Sequence, residues 1–132
     1  MLLAAALALG ALHAHADDWV SLGSTDTGFT VQVKAGSMRL LNRYDGEPVV
    51  LALFQVHDPR GNVTYERKYV TLRDCRKGAG ELVTLGAGED TSISHISKFT
   101  AGGESAASNV ADILCMAARD ENDRRRSTAE PA

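Results

Sequence analysis

Cys75 and Cys115 are the only cysteines in the chain, and whether they pair decides what the rest of the sequence can become. The answer depends on the compartment. Met1 to Leu12 is an apolar run too short to span a bilayer, followed by Ala14-His15-Ala16 and the acidic pair Asp17 and Asp18. Small side chains on either side of one residue suit signal peptidase, so residues 1–16 read as a secretory signal cleaved after Ala16. No Lys or Arg opens the run, which the export reading accommodates by a start further upstream. A buried N-terminal helix is the alternative, and it would lack a polar outer face. No cysteine stands near the cleavage point, so no lipid anchor is expected there.

In an exporting pathway thiols oxidise, and two of them should pair. Closing a loop of about 41 residues constrains the unfolded chain by roughly 4 kcal/mol. A zinc site built from Cys75, Cys115, His57 and His95 is the competing use of these residues. Zinc ligands usually come in closely spaced pairs, whereas these stand about 20 positions apart.

The body of the chain reads as strands. Phe29, Val31 and Val33 alternate with Thr30, Gln32 and Lys34, the period of a strand with one buried face. Trp19 to Leu22 forms a short strand before it, the two making an opening hairpin. After the turn cluster Tyr44 to Pro48, residues Val49 to Val56 are apolar at both parities, as expected of a central strand covered on both faces. Asp58-Pro59-Arg60-Gly61 suits a type I turn, so Val63 to Asp74 is the antiparallel partner, with a bulge or parity change near Lys68. Glu81 to Leu85 and Thr91 to Phe99 supply two more strands around Gly86 to Asp90.

The last segment changes period. Ala106, Val110, Ile113, Leu114 and Ala117 recur at helical spacing, with no glycine or proline from Glu104 to Arg119. Cys115 lies on this stripe, so a bond to Cys75 would fasten the helix to the end of the Val63 to Asp74 strand. Residues 120–132 hold no large apolar side chain and read as a disordered tail. The expected fold is therefore α+β: one domain over residues 17–119, an antiparallel sheet of about six strands with one C-terminal helix packed on it and one disulfide. No internal repeat and no membrane-spanning run is evident.

The net charge of −3 is too mild for a polyanionic or polycationic partner. Arg124, Arg125 and Arg126 are offset, together with Arg119, by Asp120, Glu121, Asp123 and Glu130, so nucleic-acid binding is not expected. No Gly-x-Ser-x-Gly elbow or metal-ligand motif contains His57 or His95. Gly86-x-Gly88 lacks the third glycine of a dinucleotide loop, and Asp120, Glu121 and Asp123 lack the glycine of a calcium loop. No catalytic residue, metal site or cofactor is expected. Asn62-Val63-Thr64 is a glycosylation sequon by pattern, of consequence only in a eukaryotic secretory pathway. Tyr65, Arg67, Tyr69 and Arg60 are the candidates for protein binding, because tyrosine and arginine are favoured at interface hot spots. An ordinary strand surface is the plainer reading of the same residues. An exposed sheet edge offers a second route to partners, by strand addition or homodimer formation.

Taken in order, a leader, Trp19 just inside the mature start, the strand and turn Val31 to Met38, a long strand ending Asp74-Cys75, and a C-terminal helix with Cys115 form a recognisable series. Over roughly Asp18 to Met116 the chain resembles the surface-adhesin protein E family of small exported bacterial proteins. The resemblance implies an antiparallel sheet of about six strands, a C-terminal helix on one face and a disulfide joining the two. It also implies a non-enzymatic envelope protein, periplasmic, secreted or surface-associated, that binds another protein such as a host matrix or envelope component. A periplasmic accessory factor for envelope integrity, with no external ligand, is the alternative. Trp19, Cys75 and Cys115 carry over, all as structural residues. Two features depart from the family: Lys34 stands where an aspartate is common, and the leader lacks a lipid-attachment cysteine.

Overall fold

The computed structural model describes residues 18–88 and 92–129; the expected signal segment 1–16 lies outside them. The strands are β1 (Trp19–Ser24), β2 (Thr30–Lys34), β3 (Arg39–Asn42), β4 (Pro48–His57), β5 (Val63–Thr71), β6 (Ala79–Gly86) and β7 (Ile93–Thr100). Two helices, α1 (Leu72–Lys77) and α2 (Ala106–Ala129), complete the elements among the described residues. All pairings are antiparallel, and the sheet runs β1-β2-β4-β5-β6-β7 with β3 also on β4. The expected antiparallel sheet with a C-terminal helix and one disulfide is the fold of this protein.

The strand missed in the sequence is β3. It shares one edge of β4 with β2: Thr30 to Val33 pair with His57 to Phe54, and Arg39 to Asn42 pair with Leu51 to Pro48. The chain is thus one long strand interrupted at 35–38, where Ser37 closes the gap. Its hydroxyl donates to Lys34 O (2.7 Å) and accepts the Leu53 amide (3.0 Å), supplying the bond that a continuous strand would have made.

Three connections use one turn design. In Thr25–Phe29, Arg43–Glu47 and Asp58–Asn62, the amide of the fourth residue donates to the carbonyl of the first. That fourth residue is Gly28, Gly46 or Gly61, at φ +89°, +86° and +89°, a backbone region in which a Cβ is strained. The expected turn at Asp58 to Gly61 is of this kind, with Asp58 Oδ1 also accepting the Arg60 amide (2.8 Å).

The expected bulge near Lys68 is absent. β5 pairs with β4 without a break from Val63↔His57 to Thr71↔Val49. The parity change is instead the end of the strand: Leu72 to Asp74 belong to α1 and not to β5. Thr71 caps that helix, its hydroxyl accepting the Asp74 amide (3.0 Å), and Gly78 ends it at φ +77°.

The core lies between the sheet and α2. Val50, Ala52 and Phe54 of β4, Val70, Leu82 and Phe99 meet Val110, Ala111, Leu114 and Ala118. The buried stripe of α2 is therefore turned somewhat from the expected one, in which Ala106 is exposed, and small residues at 111 and 118 let the helix approach the sheet. Cys75 and Cys115 are bonded, with Cα atoms 5.4 Å apart. Because Cys75 sits in α1, the strap joins two helices and not helix to strand end.

The helix also runs past Arg119, where a disordered tail was expected, and is helical to Ala129. An absence of apolar side chains removes packing but not helicity. Glu121 pairs with Arg124 and Arg125 one turn on, and no glycine or proline intervenes before Pro131.

Candidate functional site

Strand alternation sends the odd residues of β4 and β5 to the face opposite α2. Among the described residues no helix lies over that face, so β4 is central but covered by helix on one side only. The expectation of cover on both faces fails here, because its apolar odd positions are sheltered only by their neighbours. Val49, Tyr69 and Val83 are buried laterally, with Leu51 and Leu85 packed beside them.

The open face can be laid out from the register. One row reads Gln32, Gln55, Tyr65; the next reads Leu53, Arg67, Leu85, Ile93; the third reads Leu51, Tyr69, Val83, Ile96. A bulge between Thr84 and Leu85 puts both Ile93 and Ile96 on this face, Ile96 being 45% exposed. Trp19 and Tyr65 meet at 5.9 Å between ring centroids, although they belong to β1 and β5. The row they flank holds Gln32 and Gln55, whose side-chain amides hydrogen-bond to each other, and Gln55 is buried.

A groove of about 750 Å³ opens here, lined by Leu51, Leu53, Val63, Tyr65, Arg67 and Ser37. It is larger than the cleft of about 460 Å³ between β3 and the C-terminal half of α2. Leu51 and Leu53 form part of its lining, Tyr65 is 51% exposed, and Arg67 reaches along it to donate from Nη2 to Ala87 O (3.1 Å). Among the described residues Arg67 has no carboxylate partner, leaving most of its donors unused.

Of the four sequence candidates, Tyr65, Arg67 and Tyr69 share this face along β5. Tyr69 is only 7% exposed and lies under the Arg43 guanidinium, 6.0 Å from its ring centroid, so it belongs to the packed cluster with Val49 and Val83 and does not line the groove. Arg43 is held there by a two-pronged pair with Asp45 (3.0 and 2.7 Å). The hydrogen bond from Arg43, with help from the Glu47 amide, pulls the Asp45 carboxyl down to about 2 and pushes the guanidinium pKa further up. Arg60 stands apart at the exposed tip of the β4–β5 turn.

The histidines do not converge. His57 pairs with Val63 and Thr30 at the end of β4, with Nε2 buried and without a partner among the described residues, while His95 pairs with Thr84 on the helix-side face. The disulfide occupies both sulfurs that a zinc site would need. Leu51, Leu53 and Trp19 are groove or face residues that sequence reasoning did not single out for binding. The available signal was the second apolar parity of Val49 to Val56. No helix among the described residues is long and apolar enough to cross a membrane. Comparison with family models, with curated proteins and with solved structures returns no match for this chain.

Proposed function

We propose that this chain is an exported, non-enzymatic bacterial envelope protein, periplasmic or surface-associated, that binds another protein through the sheet face opposite α2. One observation carries the reading: a seven-stranded sheet whose second face holds an apolar patch, carries Tyr65 and Arg67 beside a groove, and has no helix over it among the described residues. Folded domains normally cover such a face, and a contiguous apolar patch with tyrosine and arginine is the composition of an interaction surface. The disulfide is compatible with an oxidising compartment. The adhesin-like resemblance of the sequence agrees with a protein ligand.

The test is capture of matrix proteins, whole cells and envelope extracts by the purified oxidised protein and by Leu53→Asp, which places a charge in the groove and leaves the α2 core untouched. Binding that Leu53→Asp abolishes is the expected result. No binding to any of the three, or binding that the variant retains, overturns the proposal.

The second reading is an accessory factor for envelope integrity without an external ligand. It is favoured by the outer edge of β7, which pairs with no further strand among the described residues, where Ile93 and Ile96 are exposed and a second copy could add strands. A deletion strain with normal adhesion and raised detergent sensitivity supports it over the first.

A further inference from the structure

The charges around the groove say what kind of segment fits it, an inference that rests on the open face being a docking surface. Leu53 lies directly across from Arg67. On its other side, Val33 pairs with Phe54 and is followed by Lys34, the last residue of β2, which sets Lys34 beside Leu53. Trp19 pairs with Lys34, and its contact with Tyr65 puts both on the open face. A leucine is thus flanked by two cations, each one strand away, so about 5 Å to either side.

Among the described residues neither cation has an acidic partner. Elsewhere on the face Arg43 is bonded to Asp45, Lys98 is in register with Glu81, and Arg39, in register with Leu51, donates to the carbonyls of Gly36 and Met38. Lys34 and Arg67 have no ion pair among the described residues, although the chain as a whole carries a net charge of −3. Arg67 is partly buried and among the described residues donates to one carbonyl, which leaves donors of its guanidinium available for a two-pronged carboxylate. A second copy laid face to face would bring these cations against one another, which disfavours self-association through this face.

The geometry points to an extended segment of another protein, of pattern acidic-x-apolar-x-acidic, lying across the strands with its apolar side chain on Leu53 and its carboxylates on Lys34 and Arg67. In an extended chain, alternate residues share a face and stand about 7 Å apart. Side chains of glutamate length can then reach inward to cations spaced about 10 Å from one another.

Trp19 is the only tryptophan and touches Tyr65 at the groove, so its fluorescence reports occupancy. The probes are three end-capped heptapeptides, Ser-Glu-Ser-Leu-Ser-Glu-Ser and the versions with Gln or Lys in place of both Glu residues, titrated into the oxidised full chain at low salt. The expected result is that the Glu peptide binds at least about tenfold more tightly than the Gln peptide, as charge-assisted hydrogen bonds require. Lys34→Gln and Arg67→Gln should each reduce that preference, with circular dichroism unchanged, while affinity for the Gln peptide stays the same. Arg67→Lys should restore only part of it, since the two-pronged geometry is lost.

Equal binding of the Glu and Gln peptides, or preference for the Lys peptide, overturns the inference. If Leu53→Asp then removes binding of all three, the docking face itself stands and only its acidic partner is refuted. If no peptide binds and Leu53→Asp leaves capture of matrix and envelope proteins unaltered, both readings fall. A concentration-dependent dimer that Leu53→Asp dissolves would assign the face to a second copy and overturn the inference as well.

Discussion

Reducing the Cys75–Cys115 bond tests how far the strap between α1 and α2 holds this fold together. The bond closes a loop with a sequence separation of 40. In the chain-entropy account such a loop removes about 13 cal/mol/K from the unfolded chain, hence about 4 kcal/mol at 25 °C. Small domains are stable by about 5–15 kcal/mol in total, so the reduced protein should survive in buffer with a much narrower margin. Urea unfolding with a slope of about 1.3 kcal/mol/M would then show the midpoint fall by about 3 M. Trp19 fluorescence reports the sheet and far-ultraviolet circular dichroism reports α2, and the two curves should coincide in both redox states. The comparison needs no mutation, because thiols replace the bond in place; Cys75→Ala with Cys115→Ala should lose at least as much, since Cys115 is buried. A shift below about 0.5 M refutes the reasoning, because the unfolded ensemble would then already hold the two residues together.

Three further outcomes follow from particular contacts. Gly80→Ala should destabilise the fold by about 1–3 kcal/mol as an overpacking change, because a Cβ there would overlap Oδ2 and Cγ of Asp74; the loss should shrink in the Asp74→Ala background, which removes both atoms, read as a double-mutant cycle by urea unfolding. Asp45 titrates at about 2 against an ordinary 3.8, so its contribution is fully present above the ordinary value and is lost as pH falls through about 2. Carboxyl-carbon NMR should show that low titration, and Arg43→Gln should return it toward the ordinary value; an unchanged titration would contradict the pairing. Residues 120–128 carry no buried side chain, so on deleting 120–132 the urea midpoint should correspond to a loss within about 0.5 kcal/mol while helical ellipticity falls.

Strand alternation, turn chemistry and two cysteines make the sheet, the meander and the strap legible in the amino-acid sequence. Phe54, Val70 and Val110 go to the core as their periods require, and Asp58 and Gly61 make the expected turn. What was not legible has physical causes. β3 is four residues long and exists because β4 offers an unpaired edge beside the break at Ser37, a tertiary effect with no local signature. α1 was absorbed into the preceding strand even though Thr71-Leu72-Arg73-Asp74 is a capping pattern, since Val70 and Leu72 are also good strand residues. The tail's helicity comes from Glu121 reaching Arg124 and Arg125, and a test for apolar content cannot see it.

The candidate site was half visible. Tyr65 and Arg67 stood out by residue type, whereas the groove depends on register: Leu53 lines it beside Arg67 because β4 and β5 pair the two, and Trp19 joins the face because its ring meets Tyr65 across β2 and β4. Tyr69 shows the limit of reading by composition, since the same residue type four residues further along β5 is sealed under Arg43.

Amide chemical-shift mapping of the labelled oxidised protein against the Glu peptide bears most directly on the docking face. The account predicts shifts concentrated at Trp19, Lys34, Leu53, Tyr65 and Arg67, with α2 from Val110 to Ala118 silent. Shifts confined to α2 or to the outer edge of β7 would contradict it.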